Sequence, residues 1–120
     1  MTSQPAPQHL DIKQDGPITI VTFTGRELVD EEVIEFIGRE LIRLVDDLGY
    51  RQLLLNFGAV VRMATHMLGE LIVLHKKIKT ADGQLALCKL HPHLREVFEV
   101  TRLNLIFPIY DDEPQALQSF

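Results

Sequence analysis

Two hydrophobic periods alternate along this chain. Residues 10–14 and 18–24 form two short runs rich in β-branched and apolar residues, joined at Asp15-Gly16-Pro17. Asp-Gly between such runs predicts a β-hairpin. Over 30–48 the spacing changes to three and four, with Val33, Ile37, Leu41, Leu44 and Leu48 in one stripe, which predicts an amphipathic helix. Asp30 suits its N-cap, and Glu31 and Glu32 suit the positive end of its dipole. Gly49 can take the positive φ that closes such a helix. On the outer face, Glu35–Arg39 and Arg43–Asp47 are expected i,i+4 pairs, each contributing about 0.2–0.5 kcal/mol.

The pattern then repeats. A continuous apolar run at 52–57 predicts a strand covered on both faces. Helical spacing returns over 66–80 through Leu68, Leu71, Ile72, His75 and Ile78, and Asp82-Gly83 marks the turn out. A strand is expected at 85–90. Pro92 suits the first turn of a helix reaching about residue 101, with Leu94, Val97, Phe98 and Val100 as its apolar residues. Residues 106–110 read as a last short strand, which Pro108 confines to a sheet edge. A final helix opens at Asp111-Asp112-Glu113-Pro114 and runs through Leu117 and Phe120. The order β-β-α-β-α-β-α-β-α predicts an α/β domain with a mixed, mostly parallel sheet, an N-terminal hairpin and crossover helices.

Composition narrows the class. A chain of 120 residues suffices for one domain, taken as 10–120 behind a tail at 1–9. With 46% apolar and 24% charged residues it reads as a soluble globular protein. A net charge of −5 argues against nucleic acid, whose phosphates want clustered cations. Lys76, Lys77 and Lys79 form the densest basic group and read as a solvated helix face. The single cysteine, Cys88, cannot form a disulfide within the chain, which fits a reducing compartment and a cytoplasmic location. No run is long and apolar enough for a membrane span.

Candidate chemistry is sparse. Cys88, His91 and His93 have the look of soft metal ligands, but a structural zinc site wants four and no fourth is near, so no metal or other cofactor is expected. Thr65 and His66 are sequence neighbours, which does not aim one at the other. With no phosphate-cradling loop and no nucleophile elbow, catalysis is not expected. The informative stretch is 53–71, a strand, loop and helix start whose only hydroxyl is Thr65. A hydroxyl there either caps the helix or accepts a phosphoryl group.

Three stretches resemble the STAS domain family of bacterial anti-sigma factor antagonists and stressosome components. Gly25-Arg26-Glu27-Leu28 before an acidic helix is similar to the family's Gly-x-Leu segment. Asn56 to Leu71 is similar to its strand, loop and helix around Asp-Ser-Ser-Gly-Leu-Gly. Leu87, Leu90, Pro92, Thr101-Arg102-Leu103, Phe107, Ile109 and Ala116-Leu117 follow its closing segment. The chain departs from the pattern where Ala64, Thr65, His66 and Met67 fall on Asp-Ser-Ser-Gly. The second serine, the family's phosphorylated position, is His66 here, and Thr65 falls on the first. Arg102 replaces the usual glycine, so it either adopts a left-handed conformation at about 1 kcal/mol or the helix ends differently.

The resemblance implies a regulatory module that docks on an anti-sigma factor or serine/threonine kinase. Its expected surface is Gly58, Met63, Thr65, His66, Met67 and Glu70, with Thr65 as the candidate for phosphorylation. The alternative is a phosphorylation-independent scaffold or self-associating domain of the same fold.

Overall fold

The computed structural model describes residues 9–120; most of the expected N-terminal tail lies outside them. His9 does not belong to a tail. Its ring packs edge-on against Phe36 at 5.9 Å, and its carbonyl accepts from Thr24 N–H.

The elements are β1 (Leu10–Asp15), β2 (Ile18–Phe23), β3 (Glu27–Leu28), α1 (Glu31–Asp46), β4 (Gln52–Asn56), β5 (Arg62–Met63), α2 (Thr65–Thr80), β6 (Gln84–Cys88), α3 (Pro92–Val100), a 3-10 turn (Leu103–Leu105), β7 (Ile109–Tyr110) and α4 (Glu113–Gln118). The main sheet runs β1-β2-β4-β6-β7. The β1–β2 hairpin is antiparallel and every other pair is parallel. Gly16 takes φ +61° in the hairpin turn, as Asp-Gly predicts.

Alternation along the strands divides the core. Val21, Phe23, Leu53, Leu55, Leu85 and Leu87 face α1, α2 and α3 in the larger core. Ile18, Ile20, Leu54, Ala86 and Cys88 face the other way and are covered by Ala116 and Leu117 of the last helix and by Phe120 just past its end. Both faces of β4 are therefore apolar, the reason for its unbroken Leu53-Leu54-Leu55 run.

Local chemistry sets the helix ends. Asp30 accepts from Glu32 N–H at 2.9 Å and Val33 N–H at 3.2 Å, the expected N-cap of α1. Gly49 follows with φ +73°. Leu48 lies past the helix and is exposed, so Ile34, Ile37, Leu41, Leu44 and Val45 form the buried stripe instead. Neither expected i,i+4 pair forms. Arg43 reaches Glu40 at 3.4 Å, and Lys77 reaches across to Asp46 at 2.8 Å.

Differences elsewhere have equally local causes. β7 is only two residues long because the 3-10 turn and Pro108 occupy the stretch before it. On α3 only Leu94 and Phe98 are buried, and Val97 and Val100 face solvent. Arg102 does adopt the left-handed conformation, at φ 63° and ψ 17°. Arg102→Gly is expected to raise stability by about 0.5 kcal/mol, the relieved steric cost less the added chain entropy. Urea denaturation checks this, and an unchanged or lower midpoint counts against it.

Candidate functional site at the start of helix α2

The site is assembled at the carboxyl ends of β4 and β6, where the chain crosses to α2. Phe57 and Val60 are fully buried and pin the loop from below, and Phe57 packs against Phe23 with ring centroids 4.7 Å apart. Asn56 holds it from the side. Its Oδ1 accepts from Gly58 N–H at 2.8 Å, and its Nδ2 donates to Glu113 Oε2 of α4 at 2.6 Å. The Gly58 carbonyl lies 3.3 Å from His91 Nε2. A Cβ on Gly58 would sit 3.1 Å from Asn56 Oδ1 and 3.4 Å from Lys89 Cδ, so a larger residue would push the loop outward.

A second, two-stranded parallel ribbon frames the loop's far end. Glu27 pairs with Arg62 and Leu28 with Met63 in register. Val61 N–H donates to Arg26 O at 2.7 Å and Ala64 N–H to Leu28 O at 2.9 Å. On its surface Arg62 meets Glu27 at 3.2 Å, a pair too exposed to contribute more than about 1 kcal/mol.

Helix α2 begins differently from α1. Its N-cap is Ala64, with no side-chain cap bond and no acidic residue in the first turn. Thr65 is the first helical residue and is exposed. The reading of Thr65 as the capping residue does not hold: a side chain already inside the helix cannot lie over the N–H groups that an N-cap reaches. The first-turn amides of α2 thus have no side-chain acceptor from the cap position.

The remaining expected residues divide. His66 is exposed, with Nε2 3.3 Å from Glu70 Oε2 one turn on. Glu70 leans into the α1–α2 seam, where its carboxylate fills the space that a Cβ on Gly38 would occupy. Only a quarter of its side chain remains accessible. Gly58 and Met63 are half-buried. Met67 must be removed from the expected surface, because it is 0% exposed and belongs to the core. The buried stripe of α2 is Met67, Leu68, Leu71, Leu74 and Ile78, which keeps Leu68, Leu71 and Ile78 of the expected stripe and has Met67 and Leu74 in place of Ile72 and His75.

Sequence reasoning missed a neighbouring groove. Val29, Met63, Ala64, Leu94 and Val97 line a hollow of about 340 Å3, with Arg62 and His93 at its rim. Val29 and Val97 are 42% and 37% exposed. The available signal was Val29, an apolar residue outside any stripe immediately before the Asp30 cap.

Cys88 lies under this edge of the sheet and is fully buried. Burial first, then the charge of Glu113, pushes its thiol up to about 12, so it is not a nucleophile at neutral pH. His91 turns to the Gly58 carbonyl, while His93 stands at the groove rim.

Fold and site together define a small α/β domain that presents a loop, a helix start and a shallow apolar groove. No helix among the described residues is long and apolar enough to cross a membrane. The chain belongs to the STAS domain family, whose sequence model matches residues 9–116. A relative from Bordetella bronchiseptica that carries the name anti-sigma factor antagonist BtrV is 31% identical over 93 residues, covering 78% of this chain and 79% of its own. A Thermotoga maritima protein described as an anti-sigma factor antagonist superposes with a TM-score of 0.81 at 20% identity, covering 95% of this chain and 96% of its own. The Bacillus cell-fate determinant SpoIIAA in its phosphorylated form superposes with a TM-score of 0.71 at 17% identity, covering 92% and 97%. Identities this low speak to the fold alone.

Proposed function

We propose that this chain is a regulatory protein-binding module of the anti-sigma factor antagonist type. It docks on an anti-sigma factor or a serine/threonine kinase through the loop after β4, the start of α2 and the adjoining groove. Gly58, Met63, Thr65 and His66, with Val29 and Val97 beside them, form the contact face, and Glu70 closes its edge. Binding rather than catalysis is its task.

One observation carries the regulatory part: Thr65 is exposed at the first position of a helix whose N-terminal amides lack a side-chain cap. A phosphoryl group there would meet first-turn N–H groups that no side chain caps, and the positive end of the helix dipole, so the fold would tolerate it. The same group adds nearly two negative charges to the contact face, enough to expel a partner that docks through apolar or acidic groups. Phosphorylation of Thr65 is therefore the proposed switch.

A second reading rests on His66. At the family's phosphoserine position this chain carries an imidazole already engaged with Glu70. That favours a constitutive scaffold that binds or self-associates without a switch.

The two readings predict opposite results for Thr65→Glu. Under the switch, the variant loses at least tenfold in partner affinity, about 1.4 kcal/mol, by calorimetry or pull-down with a serine/threonine kinase of the partner-switching type. Unchanged binding leaves the scaffold. Intact mass after incubation with that kinase and ATP should show one added phosphate that is absent from Thr65→Ala. Phosphate gain by the alanine variant would exclude Thr65 as the acceptor.

A further inference from the structure

The opposite end of the sheet carries an unfinished hydrogen-bond ladder. β6 and β7 pair only at Leu87–Ile109 and Cys88–Tyr110. Backbone groups of successive strand residues point to opposite neighbours. Gln84 N–H donates to Arg51 O, and Cys88 O accepts from Phe57 N–H, so the even-numbered residues of β6 face β4. Leu87 N–H donates to Pro108 O at 2.9 Å and Lys89 N–H to Tyr110 O at 3.2 Å, so the odd-numbered residues face β7. Leu85 must therefore direct both its N–H and its C=O outward.

Nothing among the described residues meets them. The next rung would need an N–H from residue 108, which is proline and has none. It would also need an extended carbonyl from residue 106, where Ile106 instead has helical backbone (φ −99°, ψ −43°) at the end of the 3-10 turn. Among the described residues neither backbone group of Leu85 has a partner, although Leu85 is only 6% exposed. Nearly every buried backbone group in folded proteins is paired, so a pair left open at an edge invites an occupant.

The space beside Leu85 suits one class of occupant. A cavity of about 220 Å3 opens there, with Ile106, Pro108 and Phe120 as apolar walls and His75 and Lys79 at one end. Lys76 and Lys77 lie elsewhere, beside Val45 and Asp46 of α1, where Lys77 is paired with Asp46. Burial first, then Lys79, pulls the His75 imidazole below its ordinary value, which leaves Lys79 as the cation of the pocket at neutral pH.

We propose that this notch docks a short, extended, acidic peptide segment of a partner protein, which completes the sheet on the amino-terminal side of β7. The peptide backbone donates one hydrogen bond to Leu85 O and accepts one from Leu85 N–H. One apolar side chain enters between Ile106 and Phe120, and the adjacent acidic side chain meets Lys79. This is strand addition, with affinity from the main chain and selectivity from alternate side chains. Because α2 runs back along the sheet, the notch lies at the far end of that helix from Thr65, so both faces can be occupied at once.

The test is an amide-resolved NMR titration of the full chain with a blocked tetrapeptide alternating aspartate and valine. Saturable shifts at Leu85, Ala86 and Lys79 are expected. They should weaken at least tenfold for the folded Lys79→Glu variant and vanish for a peptide N-methylated at the residue that donates to Leu85. Absence of shifts at Leu85 up to the solubility limit would mean that only water fills the notch and would overturn the proposal. Equal binding of the N-methylated peptide would reduce it to surface charge. Shifts at Leu85 that follow protein concentration without peptide would assign the notch to a second copy of the chain.

Discussion

Phe57→Ala is expected to remove about 4 kcal/mol of stability and to lower Tm on the order of 15 °C. Phe57 is fully enclosed, is the last apolar residue before the site loop and packs on Phe23 at 4.7 Å. Its truncation removes both the transfer free energy of the ring and the contacts lining the cavity left behind. Against a total of about 5–15 kcal/mol for a domain of this kind, this is a large fraction. The loss falls directly beneath Gly58 and Val60, so amide exchange should accelerate in residues 58–61 before it does in β4. Urea unfolding followed by circular dichroism checks the magnitude. A loss below about 1 kcal/mol would mean that the ring does not hold the loop, since that is less than burial of an aromatic side chain alone contributes.

Asn56→Ala is expected to cost about 3 kcal/mol, because it deletes one hydrogen bond to a charged group and strips Gly58 N–H of its acceptor. Asn56 is 93% enclosed and joins the site loop to α4 through Glu113. The matching test is Asn56→Asp, which keeps the acceptor for Gly58 but sets two carboxylates together where Nδ2 and Oε2 now lie 2.6 Å apart. Two like charges at that distance raise the folded-state pKa of the pair above the unfolded value of about 4. The folded variant then binds more protons than the unfolded chain, so its stability should fall as pH rises from about 4 to 7. The alanine variant should show no such added slope. Denaturant midpoints at pH 4.5 and 7 separate the two, and parallel profiles would show that Asn56 and Glu113 are not coupled in solution.

Much of the architecture was legible in the sequence because its signals are local. Asp15-Gly16, Asp30 and Gly49 each do what their own chemistry requires, and the three-leucine run of β4 announces burial on both faces. The phase of α2 was not legible. Met67, Leu68, Leu71, Ile72, Val73 and Leu74 place apolar groups around most of the helix, so periodicity alone took Ile72 and His75 into the stripe in place of Met67 and Leu74. Met67 was put on the surface by the alignment with the family's docking segment, whereas it is buried in the core. The β3–β5 ribbon was equally invisible, since two-residue strands have no period and their pairing joins Glu27 to Arg62 across α1 and β4.

The sequence by itself determined the order of the main-sheet strands and the helices, the hairpin, the family resemblance and the position of Thr65 at a helix start. These depend on spacing and on the conformational preferences of single residues. Only the tertiary structure decided that Ala64 rather than Thr65 occupies the cap position, that Glu70 is drawn toward Gly38, and that Pro108 leaves the outward backbone groups of Leu85 without a partner among the described residues. Each of these depends on which segments meet in space. Distances between residues far apart in the chain are set by packing of the whole domain, which no local window records.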